Sequence, residues 1–135
     1  MNMHPLFQKA SLLTETIVAA SIEVHGNWGS GSIEPVYEWS LLKELELRGL
    51  KCDCEPRVIV EYKGFTRVTR LQYGMRVQGC VLVKAKAVER VLPVEKSRLL
   101  SCMKLLDDPL GLIINFQELE VTNGISCLLL PGANH

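Results

Sequence analysis

The chain lacks any apolar run that approaches the roughly 18 residues of a membrane-spanning helix, so the sequence excludes a membrane span. Its first residues, Met-Asn-Met-His-Pro, contain no basic stretch that leads into an apolar core, and we therefore expect no secretory signal. Hydrophobic residues make up 47% of the 135 residues and charged residues 22%, which is typical of a globular domain and not of a disordered chain. We predict one domain over residues 1–135, with no membrane as a partner.

Histidine and cysteine are too few and too scattered to form a recognisable metal site. His4, His25 and His135 lie far apart in the sequence. Cys52 and Cys54 would share one face of a strand, but no second cysteine or histidine pair follows to complete a zinc site. The five cysteines are an odd number, and we interpret them as reduced thiols. The sequence thus predicts no metal site of this kind and a cytoplasmic location.

Lys and Arg are absent after residue 104. The net charge is zero, but the charges are distributed unevenly along the chain. Residues 57–104 carry 11 Lys or Arg and only 3 Asp or Glu, whereas both flanking segments are acidic. A basic block of this kind is typical of a segment that binds a polyanion. The alternative is that the block folds against the two acidic ends and neutralises them.

The spacing of apolar residues predicts three helices. The first covers residues 6–24, and a glycine-rich break follows it. Ser32 is the expected cap of the second helix, Pro35 falls in its first turn, and Gly49 ends it. The third helix begins with a proline and covers residues 93–106.

Segments rich in β-branched and apolar residues predict the strands. Two of them form a hairpin around the tight turn Lys63-Gly64, and Asn123-Gly124 predicts a hairpin turn into the last strand. The predicted strands cover residues 58–62, 65–68, 74–77, 80–88, 110–116 and 125–130. This order of elements predicts an α/β fold in which a mixed sheet has helices on both faces.

A short motif spans the start of the second helix. Gly31, Glu34 and Tyr37 have the spacing that names the GxxExxY proteins, and further similar segments follow in order along nearly the whole chain, including residues 47–51, 62–64, 86–94 and 110–116. The chain therefore resembles the GxxExxY family of the PD-(D/E)XK nuclease-like superfamily. The resemblance implies a restriction-endonuclease-like fold, with a mixed sheet flanked by helices.

Active nucleases of this superfamily hold Mg²⁺ with an Asp from one strand and a Glu-x-Lys motif from the next, often helped by a helix Glu. The resemblance places Lys86 at the motif lysine and Glu34 at the helix glutamate. Lys84 then stands at the position of the motif Glu, and Gly74 stands at the position of the motif Asp. Two lysines on one strand face repel a divalent cation, so we interpret Glu34 and Lys86 as vestiges of a lost catalytic site and expect no cofactor.

The loss of carboxylates and the gain of cations favour nucleic-acid binding as the first hypothesis. Lys84, Lys86, Arg76 and Arg98 are expected to line the former active-site cleft and to contact the phosphates of DNA or RNA. The first hypothesis is therefore a catalytically degenerate nuclease-like domain that binds nucleic acid.

Two other hypotheses remain open. In one, the domain is a protein-interaction or oligomeric scaffold, plausibly a homodimer, and Lys84 pairs with Glu34 as a structural ion pair. In the other, it is a residual Mg²⁺-dependent nuclease whose carboxylates have migrated to Glu61 or Glu89.

The aromatic residues and the internal histidine have less distinct roles. Trp28 in the glycine-rich loop is a candidate for an exposed contact with a ligand or partner, whereas Trp39 is expected to be partial core or an interface anchor. His25 is expected to be a loop or helix-capping residue.

Overall fold

A computed structural model describes residues 3–135 as a sheet with helices on both faces and a separate β-hairpin. The three helices are α1 (Phe7–Trp28), α2 (Glu34–Leu47) and α3 (Pro93–Leu106), and a short 3₁₀ helix covers Val121–Gly124. The seven strands are β1 (Cys52–Cys54), β2 (Arg57–Tyr62), β3 (Phe65–Arg70), β4 (Gly74–Val77), β5 (Val81–Lys86), β6 (Leu110–Asn115) and β7 (Ile125–Leu129).

The main sheet is mixed and has five strands in the order β1-β4-β5-β6-β7. Its β5–β6 pair is parallel, because α3 carries the chain back between these strands, and the other three pairs are antiparallel. Strands β2 and β3 pair only with each other and form the β2–β3 hairpin. The predicted α/β fold, restriction-endonuclease-like with a mixed sheet between helices, is confirmed.

The core lies on both faces of strand β5. Val83 and Ala85 point to the face covered by α1 and α2, and their cluster includes Tyr37 of α2. Leu82 points to the opposite face, where it packs with Leu99 of α3. Successive residues of a strand alternate between faces, so a strand that is buried on both sides must be apolar almost throughout, as the run Val81–Leu82–Val83 is.

Several element boundaries differ from those predicted, including those of two helices. Helix α1 continues through His25 and Gly26 to Trp28, because Gly26 is tolerated inside the helix and the chain first adopts a positive φ, +68°, at Gly29. Helix α2 begins at Glu34 with Ile33 as its N-terminal cap residue, so Ser32 does not cap it.

The connection from β6 to β7 also differs. The predicted hairpin turn at Asn123-Gly124 is wrong, since both residues belong to the 3₁₀ helix Val121–Gly124. The buried side chain of Val121 contacts the main core, and this packing overrides the local turn preference. Within residues 3–135, no helix combines the length and apolarity that crossing a bilayer requires.

Candidate functional site

A cleft of about 460 Å³ lies on the α3 face of the sheet and is lined by several of the predicted site residues. Its floor is the end of strand β5, one wall is α3, and the other wall is the β2–β3 hairpin with the turn that comes after it. We call it the basic cleft, because its lining includes four cations and one carboxylate: Lys84, Lys86, Arg70, Arg98 and Glu95.

Strand β5 delivers both lysines to the basic cleft. Lys84 and Lys86 are two residues apart, so they share one strand face and stand roughly 6–7 Å apart along it. Gly74 of β4 is the direct cross-strand partner of Lys84. The structure therefore brings together the three positions that the sequence aligned with the strand motifs: Gly74, Lys84 and Lys86.

The space beside Gly74 is already filled. A Cβ atom added to Gly74 would lie 2.5 Å from Cδ2 and 2.6 Å from Cγ of Leu71. Leu71 is buried and packs with Leu82 and Leu99 in the core cluster beneath α3. A side chain at position 74 therefore requires Leu71 to leave its present place.

Lys86 is held by two carboxylates. Its Nζ lies 2.6 Å from Oε1 of Glu95 and 3.8 Å from Oε1 of Glu34, and all three side chains are mostly buried. Glu34 Oε1 also accepts a hydrogen bond from the backbone N–H of Ala87, and Glu95 Oε2 accepts one from the N–H of Leu92. Burial alone would raise the pKa of Glu95, but the hydrogen bonds from Lys86 and Leu92 lower it overall.

Lys84 has no such partner. Within the described part of the chain it forms no ion pair, although its side chain lines the same cleft. Burial lowers the pKa of the Lys84 ammonium, and the charge of Lys86 lowers it further, while Glu34 and Glu95 offset part of the shift. The proposed structural pair between Lys84 and Glu34 is not formed, because Lys86 occupies that carboxylate instead.

Two arginines complete the positive lining. Arg98 lies on the exposed side of α3 and lines the basic cleft, as the sequence predicted. Arg70 at the end of β3 also lines it, and its Nη1 donates a hydrogen bond to the carbonyl of Glu55 at 3.4 Å. Sequence reasoning missed Arg70, because nothing local indicates that the β2–β3 hairpin packs beside α3.

Arg76 does not line the basic cleft, contrary to the expectation from the sequence. It shares a sheet face with Lys84 but lies toward the other end of the β4–β5 pair, where it faces the fully buried Asp108. Its Nε lies 3.0 Å from both carboxylate oxygens of Asp108, and its Nη2 lies 2.7 Å from Oδ1. Burial raises the pKa of Asp108, and the hydrogen bonds and charge of Arg76 offset part of that rise.

The N-terminus of helix α2 is fixed by the side chain of Tyr37. The Tyr37 hydroxyl donates a hydrogen bond to the carbonyl of Gly29 and accepts one from the N–H of Ser32. Its ring stacks on Phe116, with centroids 4.6 Å apart. Because these contacts fix the loop and the first turn of α2, Glu34 is held against the end of strand β5.

The donors in the cleft do not fit a divalent metal ion. Both carboxylates, Glu34 and Glu95, are bound to the Lys86 ammonium, and Lys84 adds a second positive charge beside them. Glu61 lies on the exposed hairpin and Glu89 in an exposed loop, so neither lines the cleft. Among residues 3–135, no group of three His, Cys, Asp or Glu side chains has the arrangement of a metal site.

The remaining candidates lie away from the cleft. Cys52 and Cys54 are on strand β1, where burial first and nearby acidic groups next raise the pKa of each thiol to about 11. His25 lies within α1, and its Nε2 is 2.8 Å from the carbonyl oxygen of Glu118. The exposed Trp28 donates its indole N–H to Ser40 on α2.

Comparison with protein families gives one match. The family model of the PD-(D/E)XK nuclease superfamily matches residues 11–127, which is well over half of the chain and includes the basic cleft. Comparisons with curated proteins and with solved structures give no match.

Proposed function

The chain belongs to the PD-(D/E)XK nuclease superfamily, and from this premise we propose that it is a catalytically degenerate nuclease-like domain that binds nucleic acid through the basic cleft. The finer resemblance to GxxExxY proteins is part of this proposal. The observation that carries it is Lys84, which has no ion-pair partner within residues 3–135 and lines the cleft next to Gly74, at positions where an active relative has acidic side chains.

Loss of cleavage is supported by the geometry around two positions. The aspartate position is a glycine, and the side chain of Leu71 fills the space beside it. The glutamate position is a lysine, and the motif lysine forms ion pairs with both nearby carboxylates, Glu34 and Glu95. This donor set leaves Mg²⁺ without the oxygen ligands it needs, so the proposal includes no metal and no hydrolytic step.

Binding is supported by the balance of charge in the cleft. Lys84, Arg70 and Arg98 have no carboxylate partner within residues 3–135, so a phosphate backbone would supply the missing negative charge. Arginine suits phosphate because its planar guanidinium donates two parallel hydrogen bonds. Lys86 is already committed to two carboxylates, and we assign it the role of holding β5, α2 and α3 together at the cleft.

The direct test is fluorescence anisotropy of labelled single- and double-stranded DNA and RNA, in low salt with Mn²⁺, followed over time. We expect a stable rise that added salt reverses, since counterions are released when phosphates are neutralised. Lys84→Glu should lower the affinity at least about tenfold, which corresponds to roughly 1.4 kcal/mol. Lys43→Glu is the matched control, because Lys43 is an exposed lysine on α2 across the sheet from the cleft.

The time course separates the alternatives. Anisotropy that rises and then falls below its starting value means cleavage. If Glu34→Ala abolishes that fall, the degenerate-site proposal is wrong. No change with any of the four nucleic acids rejects nucleic-acid binding.

A protein-interaction scaffold is the second candidate function, and exposed apolar side chains on the opposite side of the molecule favour it. Trp39 is 57% exposed and Leu47 is 82% exposed, and both line a shallow groove between α1 and α2 together with Trp28. Light scattering during size-exclusion chromatography tests self-association through this groove. A dimer that Trp39→Ala and Leu47→Ala convert to a monomer would support the scaffold, and a monomeric wild-type protein would reject the homodimer.

A further inference from the structure

The β2–β3 hairpin projects beside the basic cleft as a sheet of its own. Its base is anchored, because Val58 is almost fully buried in contact with the cleft wall and is paired with Thr69. All six residues of β3 are exposed. One face of the hairpin is therefore continuous with the cleft at its base and open to solvent beyond it.

The exposed end of that face carries two aromatic rings. Cross-strand partners in an antiparallel pair point to the same side, and residues alternate along each strand. The face that begins with Val58 and Thr69 therefore ends with Tyr62 and Phe65, which pair directly across the Lys63-Gly64 turn. Tyr62 comes four positions after Val58 along the strand, which places the rings about 13 Å from Val58 at the cleft wall.

Both rings are largely exposed to solvent. Tyr62 is 64% exposed and Phe65 is 78% exposed. The Nζ of Lys63 lies 5.4 Å from the centroid of the Tyr62 ring. The two aromatic side chains thus stand at the tip of the hairpin, where Phe65 is open to a ligand and Tyr62 offers the ring face opposite Lys63.

The charge of the hairpin selects the kind of ligand. Its acidic residue is Glu61, and its basic residues are Arg57, Lys63, Arg67 and Arg70. An apolar protein surface would gain contact with the rings but nothing from this excess of positive charge. A nucleic acid offers a negative backbone together with flat base surfaces, so it complements both features.

We propose that the ligand is single-stranded nucleic acid, and that Tyr62 and Phe65 stack on its unpaired bases while the basic cleft binds its backbone. This inference rests on the proposed function, because it assigns a substrate class to the same cleft. In a duplex the base faces are covered by neighbouring bases, whereas in a single strand they are free to stack on protein rings. The hairpin therefore confers preference for the single strand, and the cleft cations confer affinity for both forms.

The test compares labelled oligothymidylate with the same strand annealed to oligoadenylate, with affinities measured by anisotropy in the same low-salt buffer. We expect the double variant Tyr62→Ala, Phe65→Ala to lose at least about tenfold in affinity for the single strand and less than about twofold for the duplex. Phe65→Trp should keep or increase the single-strand affinity, and Phe65→Leu should lower it. The leucine variant keeps an apolar side chain but removes the stacking surface.

Two controls separate this inference from the proposed function. Leu119→Ala removes an apolar side chain that is 88% exposed in a loop distant in sequence from the hairpin, and it should leave both affinities unchanged. Lys84→Glu should lower both affinities. If Lys84→Glu has this effect but the aromatic variants bind both forms as the wild type does, the stacking proposal is wrong and the proposed function stands.

The other outcomes are also decisive. If neither Lys84→Glu nor the aromatic variants change binding, both proposals are rejected. If Phe65→Leu binds as well as the wild type, or if the double variant changes only the oligomeric state in light scattering, the hairpin is an apolar protein contact and the stacking proposal is overturned.

Discussion

The two ends of the β4–β5 strand pair carry similar cations with different surroundings. At one end, Arg76 makes a bidentate contact with the fully buried Asp108. At the other end, Lys84 lines the basic cleft and has no carboxylate partner in the part of the chain that the structure describes, and its cross-strand neighbour is Gly74. A basic residue at this strand pair therefore stabilises the fold where a carboxylate lies beside it, and it remains available to a ligand where no carboxylate does.

The partners differ because different segments of the chain enclose the two ends of the strand pair. The chain turns after α3 so that Asp108 is enclosed just before β6, and burial of that carboxylate makes a cation obligatory beside it. At the cleft end the two available carboxylates, Glu34 and Glu95, both contact Lys86. Lys84 is therefore partly buried without an ion pair that offsets the cost of its burial.

The largest expected effect is the loss of the Arg76 contact. Arg76→Met leaves the Asp108 carboxylate buried without a cation, and we expect a loss of about 3 kcal/mol in the free energy of unfolding. Urea denaturation at neutral pH measures it. Arg48→Met is the matched control, because Arg48 pairs with Glu44 on the surface of α2, and it should cost less than about 0.5 kcal/mol. Equal effects from both variants would contradict the comparison.

A smaller effect is expected from Lys86→Met, which leaves Glu34 and Glu95 facing each other without a cation. Both side chains are about 80% buried, so we expect a loss of about 1–2 kcal/mol, between the values typical of buried and exposed pairs. Lys84→Met, in contrast, should leave stability unchanged or raise it. Parallel urea denaturation of both variants checks this, and a greater loss for Lys84→Met would show that our assignment of the two lysines is reversed.

The loss of stability expected from Lys86→Met also depends on pH. The pKa of Glu95 is lowered in the folded protein, so the stabilisation it provides is present above its ordinary pKa of 4.5 and is lost as the pH falls through its folded pKa. The stability difference between the wild type and Lys86→Met should therefore narrow under acidic conditions. A difference that widens as the pH falls would contradict the pairing.

The smallest effect concerns the titration of Lys84. The pKa of Lys84 is lowered in the folded state from its ordinary value of 10.5. Between the lowered value and 10.5, the unfolded chain binds more protons at this site than the folded protein does. The contribution of Lys84 to the free energy of unfolding therefore rises with pH in this range. Lys84→Met removes this contribution. The stability advantage of the variant over the wild type should be largest near neutral pH and should shrink toward pH 10.5. A constant difference in urea denaturation across that range would contradict it.

Much of the fold could be predicted because its strands carry strong local patterns. The run from Val81 to Val83 indicates a strand buried on both faces, and the predicted third helix has the observed bounds, Pro93–Leu106. The errors occurred where tertiary contacts override local preference. Asn123-Gly124 is a strong hairpin signal, but the packing of Val121 against the core makes the segment helical instead.

The site was less predictable, because it depends on contacts between distant segments. Spacing placed Lys84, Lys86 and Gly74 together correctly, since strand register follows from the turn at Gln78-Gly79. Spacing in the sequence could not predict that Arg76 would pair with Asp108, which is 32 positions away. The importance of Glu95 was also missed, although its position in the first turn of a helix that begins at Pro93 is a usual place for a carboxylate.

The position of Leu71 has a consequence for the history of this domain. A single change from glycine to aspartate at position 74 would introduce a side chain into space that Leu71 already occupies, so that change would first be selected against for its effect on packing. Leu71 would have to move to another rotamer or be replaced by a smaller residue, and neither change by itself brings a gain in catalysis. In the degenerate-site proposal, the return to a metal-binding nuclease therefore needs a rearrangement at Leu71, outside the motif, as well as an acidic residue at position 74.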